Sequence, residues 1–239
     1  MSNTFKHIVI FGYEQAARAL LDAITSEFDP NDHTLVIMSP FPRPIDVPLE
    51  FEWIEGDPTK EAELDKARLM MADSCIIAAR RSILPQQADA ITILTAFTLR
   101  SYLEAHPQQR KTPLHISCEI LETENVQHAK TAGAEEIIET TRLGYSMLSH
   151  SIAQKGIGNV ASNLMMPRDH NLYLTNSPLP LPMVFQQLHN QIQQEYGVMV
   201  IGIRNKLDQK DEINPRPNRL VTEEYELIYL SEHPLQHLG

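Results

Sequence analysis

The chain has 239 residues, 42% of them hydrophobic, enough for one large domain or two modest ones with a real core. Its 20 Lys and Arg stand against 31 Asp and Glu, and the resulting charge of -11 repels a phosphate backbone and excludes nucleic acid as a partner. Two cysteines are too few for a disulfide framework, no apolar stretch approaches the ~18 residues of a membrane span, and the polar start MSNTFKH is not a signal peptide, so a soluble cytoplasmic chain that does not itself enter a membrane is expected.

The first element is HIVIF, residues 7–11, a buried strand that runs into Gly12 and then a helical stretch. A dinucleotide-binding turn places glycines at its first, third and sixth positions. Here Gly12 holds the first, but Glu14 and Ala17 hold the other two. Ala17, Leu20, Leu21, Ile24 and Phe28 then fall on one face of a helix packed on a sheet.

Further strands are expected at HTLVIM (33–38), FEWIEG (51–56), SCIIAA (74–79), LHISCEI (114–120) and EEIIET (135–140). Between the fourth and fifth, Ala90, Ile93, Leu94, Phe97 and Ser101 repeat the helical spacing and predict a second face on the sheet. NVQHAKTAGAEEII reads as a helix stopped by Gly133. The alternation predicts a Rossmann-like, doubly wound parallel α/β sheet of about six strands.

After residue 140 the pattern changes to a Met-rich, glycine-interrupted helical stretch, followed by the proline-dense SPLPLPMVF. A helix in QQLHNQIQQEYG, a strand at VMVIGIR (198–204), the loop NPRPN and a strand at YELIYL (225–230) complete a small α+β lobe. The expected division is an N-lobe at 1–141, a crossover helix and connector at 142–183, and a C-lobe at 184–239.

Open parallel sheets bind ligands at the carboxyl ends of their strands, where the strand order reverses. That rule gathers Gly12, Tyr13, Glu14, Gln15, Ser39, Asp57, Ala79, Arg80, Arg81 and Glu119 around one cleft. The second strand ends in Ser39 rather than in the acid that would hold a ribose, and Glu14 brings negative charge to the pyrophosphate position. At ~4 Å such a pair of like charges repels by about 1 kcal/mol even in water. NAD in its usual geometry is disfavoured. Arg80 and Arg81 read either as phosphate forks, which would suit an adenine nucleotide or another small anion, or as a solvated pair at a strand end. Asp57, before Pro58, either caps the next helix or lines the cleft. His115 and Cys118 fall on opposite faces of a strand, which defeats joint zinc ligation. Met147, Leu148, Ile152, Met165 and Met166 read as an adaptable surface for self-association or as ordinary core.

On HIVIFGYEQAARALL, IEGDPTKEAELDKARLMMADSCIIAA, AKTAGAEEII and VMVIGIR with INPRPN, the chain resembles the RCK domain, the regulator of K+ conductance, of TrkA-N and TrkA-C type, over nearly its whole length. The resemblance implies a non-enzymatic domain that senses a ligand and pulls on a potassium channel pore, pairing into dimers and often into a ring of eight lobes. Without a pore, the chain would be a regulatory subunit or a cytosolic fragment, held at the inner face of the plasma membrane through its partner. Degraded glycines lean toward channel members of the family, and a soluble nucleotide-binding subunit of a Trk- or Ktr-type uptake system is the alternative. An NAD(P)-dependent oxidoreductase is the third reading, against which stands the lack of a recognisable acid-base constellation in the second lobe. In calcium-gated archaeal members, acids at the ends of the fourth and fifth strands hold Ca2+. By position Glu119 keeps one of these, while Ala79 and Leu121 replace others and Glu122 and Glu124 lie nearby.

Overall fold

The computed structural model describes residues 6–107, 110, 112–165, 170–175 and 182–235, and divides into two compact units, Met1–Ala153 and Gln154–Gly239. The first holds six parallel strands: β1 (His7–Phe11), β2 (Thr34–Ser39), β3 (Phe51–Glu55), β4 (Ser74–Ile77), β5 (His115–Glu119) and β6 (Glu136–Ile138). Their order is β3-β2-β1-β4-β5-β6, so the direction of winding reverses between β1 and β4. The expected doubly wound α/β sheet is present.

Every residue of β1 is buried, because helices cover both faces of its neighbourhood. On one face, Leu21 and Ile24 of α1 (Arg18–Glu27) pack with Ile8, Ile10, Leu35, Ile37 and Phe51, as the helical spacing predicts. On the other, Val9, Phe11, Val36, Cys75, Ile77 and Ile116 meet Leu64 of the short α2 (Glu61–Leu64), Ala96 and Leu99 of α3 (Pro85–Ala105) and Ala129 of α4 (Val126–Thr131). Cys75 and Cys118 are both free and buried within this second core, and burial raises the Cys118 thiol to about 12, so neither is a ready nucleophile.

One sequence expectation is reversed on α3. Most of the face marked by Ala90, Ile93, Leu94, Phe97 and Ser101 turns away from the sheet: Leu94 is 50% and Phe97 60% exposed, while Ile93, partly buried, still packs against the core. The buried face is instead Ala88, Thr92, Thr95, Ala96, Leu99 and Tyr102. Small side chains let a helix axis lie close to a sheet, and threonine, counted as polar in a periodicity pattern, serves that purpose with its methyl group. Replacing Ala96 with leucine is therefore expected to destabilise the unit by ~1–3 kcal/mol, through overpacking. Phe97→Ser should change stability by less than ~0.5 kcal/mol, as exposed positions generally do. Urea unfolding of the two variants reads the difference, and the reverse ranking would show that the periodic face is the packed one.

The helix α5 (Thr140–Ala153) follows β6 and has no buried residue. In the second unit, α6 (Ile157–Met165) contacts β7 (Asn171–Leu174). The antiparallel sheet β10-β9-β12-β7 is built from β9 (Met199–Asn205), β10 (Asp211–Ile213) and β12 (Tyr225–Ser231) besides β7. Phe185, Leu188 and Ile192 of α7 (Phe185–Tyr196) pack with Val200, Ile203, Leu227 and Tyr229. A short antiparallel pair joins β8 (Met183–Val184), directly before α7, to β11 (Leu220–Val221), which lies between β10 and β12 in sequence. Gly197 ends α7 with φ +70° and donates its N–H to the Gln193 carbonyl, a left-handed cap that suits glycine. No helix among the described residues is long and apolar enough to cross a membrane.

Candidate functional site

The parallel sheet places the ends of β1 and β4 side by side at the reversal point. Gly12 leaves β1 with φ +73°, and a Cβ built on it would lie 2.2 Å from the backbone oxygen of Ala78. Only glycine permits that passage. The chain then sends Tyr13 inward, where it is 2% exposed and meets Trp53 edge to face at 6.0 Å between ring centres. Glu14 follows in extended conformation before a single 3-10 turn, Gln15–Ala17, leads into α1.

A cleft of about 430 Å3 opens here, within the range of small-molecule sites. Tyr13, Glu14, Gln15, Ser39, Phe41, Trp53, Arg80, Arg81 and Ser82 are among its lining residues. Of the residues expected at the site, Gly12, Ala79, Glu119 and Asp57 fall outside this lining, Asp57 in the turn after β3. Its carboxylate accepts hydrogen bonds from the Thr59 amide at 3.0 Å and the Thr59 hydroxyl at 2.7 Å, a local turn of the kind that sets up a helix start. Burial alone would raise its pKa, but these bonds and neighbouring Lys60 hold it below the ordinary value. Ser39 is buried at the end of β2, and its hydroxyl accepts from the Phe41 amide. Ala79 is also buried, and its backbone N–H donates 2.9 Å to Glu119.

The charged groups around the cleft are paired. Glu14 accepts from the Arg80 guanidinium at 3.1 Å, the Arg81 amide at 2.9 Å, the Ser82 amide at 3.0 Å and the Ser82 hydroxyl at 2.6 Å. Burial pushes its pKa up, yet the bonds from Ser82 and Arg80 outweigh that and leave it below the usual carboxylate value. Arg80 also lies 4.8 Å over the Phe41 ring, a cation-π contact that fixes the guanidinium between carboxylate and aromatic face. Arg81 turns the other way. Its guanidinium donates to Glu119 and, at 2.7 Å, to the hydroxyl of Thr140, which itself donates to Glu119. Glu119 therefore joins the ends of β4 and β5 to the first residue of α5.

These pairings were not readable from the residue types alone. Sequence reasoning placed Glu14, Arg80 and Arg81 in one cleft, but Ser82, Phe41, Trp53 and Thr140 went unmarked. The signal for Ser82 is its place directly after the two arginines, in a loop whose amides face the turn after β1. Asp89 was missed altogether. This carboxylate is fully buried on α3 and accepts from the amides of Leu121 and Glu122 and the side chain of Asn125. Glu122 accepts from Gln86. Among the described residues no group of three or more His, Cys, Asp or Glu side chains is placed to hold a metal ion. Of the side chains expected to mediate self-association, Leu148 and Ile152 are 64% and 85% exposed and Met147 is half-buried. Met166 lies outside the described residues, as does the side chain of Met165.

Comparison with known proteins places this arrangement in a family. A family model described as the calcium-activated potassium channel slowpoke-like RCK domain matches residues 3–131. The calcium-gated potassium channel TvoK of Thermoplasma volcanium is 29% identical over 108 residues, which are 44% of this chain and 29% of that protein. The human SLO3 gating ring superposes with a TM-score of 0.71 at 16% identity, covering 95% of this chain and 44% of that one, a likeness of fold. The GsuK channel bound to NAD covers 95% of this chain and 36% of its own at 16% identity, with a TM-score of only 0.48. The chain thus spans less than half the length of these relatives. Because the matched segment takes in β1 to β5, both loops of the cleft and more than half of the 239 residues, the chain belongs to the slowpoke-like RCK domain family.

Proposed function

We propose that the chain is a ligand-sensing regulatory domain of a gating ring that controls a potassium channel at the cytoplasmic face of its membrane, without catalysing a reaction. The family match across residues 3–131 carries this reading, because it covers the residues that form the cleft. Names of the relatives agree with it: TvoK is a calcium-gated potassium channel, and the SLO3 chain is a gating ring. The ligand acts by favouring one packing of paired domains, and only by as much as its affinity differs between the two packings.

For that ligand the cleft favours an adenine nucleotide, since Phe41 and Trp53 offer aromatic walls for a base and Arg80 lies beside them. Ca2+ at Glu119 is the second reading, favoured by the calcium gating named for TvoK. A cation there must compete with the Arg81 guanidinium, and it seeks six to eight oxygen ligands. The division into an N-lobe at 1–141, a connector at 142–183 and a C-lobe at 184–239 belongs to the same proposal.

Self-association runs through α5, whose Leu143, Tyr145, Leu148 and Ile152 are all more than half exposed. Light scattering of the concentrated protein is expected to show a dimer or a larger ring. Leu148→Glu with Ile152→Glu should shift it toward monomer without unfolding it. A parent protein that stays strictly monomeric would remove the gating-ring reading.

A further inference from the structure

Four donors converge on one point beside the cleft: the amides of Arg81 and Ser82, the Ser82 hydroxyl and the Arg80 guanidinium. Two consecutive amides, a hydroxyl and a guanidinium form the kind of donor set that receives a phosphate group. The group they hold is the chain's own Glu14 carboxylate, whose side chain is only 13% exposed. It accepts from all four, both of its oxygens used.

We propose that Glu14 is an internal stand-in for a ligand phosphate, occupying the phosphate subsite of the cleft, and that a phosphate-bearing ligand enters by displacing it. This rests on the nucleotide reading of the cleft above and adds the regulation of that site. A tethered carboxylate competes at a fixed, high local concentration, so it lowers the apparent affinity of any free phosphate by the fraction of time it is away. Displacement also has a mechanical consequence. Residues 80–82 lead within a few positions to Pro85, the first residue of α3, so release of Glu14 frees the loop from which α3 starts. The same exchange leaves the Arg81 side chain on Glu119 and Thr140, because that contact uses different atoms.

The depressed pKa of Glu14 keeps the stand-in charged throughout the neutral range, so protonation does not release it and a competing anion is needed. Its aromatic neighbours set the rest of the ligand. Phe41 and Trp53 line the cleft together, joined by the Trp53 indole N–H, which donates 3.1 Å to the Phe41 carbonyl, and would accept a flat base.

The test is binding of ADP and, separately, inorganic pyrophosphate to the full chain by calorimetry, for the parent, Glu14→Ala, Glu14→Gln and the double variant Glu14→Ala with Ser82→Ala. Glu14→Ala is expected to bind ADP at least tenfold more tightly than the parent, and the added Ser82→Ala to reverse several-fold of that gain. Should Glu14→Ala melt before it can be measured, Glu14→Gln, which keeps the shape and removes the charge, carries the test and must also bind more tightly than the parent. Variants that bind ADP and pyrophosphate no more tightly than the parent overturn the proposal. A gain for pyrophosphate equal to that for ADP supports the phosphate subsite and assigns no energy to the aromatic walls. The gating-ring reading is judged separately by self-association, so a monomeric chain with a Glu14→Ala gain would lose the one and keep the other.

Discussion

Replacing Gly12 with alanine is expected to cost the N-terminal unit about 3 kcal/mol or more, enough to leave much of it unfolded at ordinary temperature. Two effects add. A side chain in the left-handed region costs roughly 1–2 kcal/mol, and Gly12 sits there with φ +73°. The new Cβ would also stand 2.2 Å from the Ala78 backbone oxygen, which cannot rotate aside as a flexible side chain would. Relief requires β1 and β4 to part at their ends, in the middle of the sheet, where Ala78 donates its N–H to the Phe11 carbonyl at 2.9 Å. Gly144, within α5 and with open space where its Cβ would stand, is the control. Gly144→Ala should leave the fold intact and stabilise it by ~0.5–1 kcal/mol, the ordinary gain in a helix. Urea unfolding of both proteins decides the matter. A Gly12→Ala protein within ~1 kcal/mol of the parent would show that the turn relaxes, and that the first glycine of the fingerprint is a remnant with no structural role.

That position explains why one third of a dinucleotide fingerprint persists. Its first glycine serves chain geometry, whatever is bound. The third and sixth positions serve the approach of a ligand and the packing of the helix, and here they carry Glu14 and Ala17. The sequence alone could show the negative charge of Glu14 and argue that it repels a pyrophosphate. Its partners are another matter, since the Arg81 and Ser82 amides lie 67 and 68 residues along the chain. Pairings over such separations depend on strand order, and no local pattern encodes them.

The strands were legible because β-branched runs buried on both faces of a parallel sheet leave little ambiguity. On α3 the same reasoning misled. Leu94 and Phe97 drew attention as large apolar residues at helical spacing, while the packed face was built of alanine and threonine. In the second unit β7, with the sequence NLYL, falls inside the expected connector, because four residues between polar neighbours carry too little pattern. It pairs with β12 through Tyr173 and Tyr229, whose rings lie 5.6 Å apart.

Asp89 is where the gap between pattern and structure has the largest consequence. A carboxylate in the middle of a helix reads as a solvent-facing residue, yet this one is fully buried. Its Oδ1 accepts from the Leu121 amide at 2.9 Å, and its Oδ2 from the Glu122 amide at 3.0 Å and the Asn125 side chain at 2.8 Å. These donors belong to the turn between β5 and α4, so Asp89 holds that turn against α3. Asp89→Ala leaves two backbone amides and one side-chain amide without their partner in a buried place, and the expected loss is ~3–5 kcal/mol. Asp89→Asn keeps the shape and one good acceptor, but turns an N–H2 group toward the donors served by the other oxygen. About 1–3 kcal/mol is expected for it. Unfolding by urea gives both numbers, and hydrogen exchange at the Leu121 and Glu122 amides gives the location, since only these and their neighbours should lose protection in Asp89→Asn. A small, equal effect of the two substitutions, with those amides still protected, would mean that water replaces the carboxylate and that the clamp between α3 and the β5–α4 turn is not rigid. If the clamp holds, movement at the start of α3 reaches the end of β5, where Glu119 meets Thr140 of α5. The loop that Glu14 grips and the helix that carries the exposed apolar residues are then joined by two routes, the Arg81 guanidinium on Glu119 and Thr140 and the buried Asp89 carboxylate.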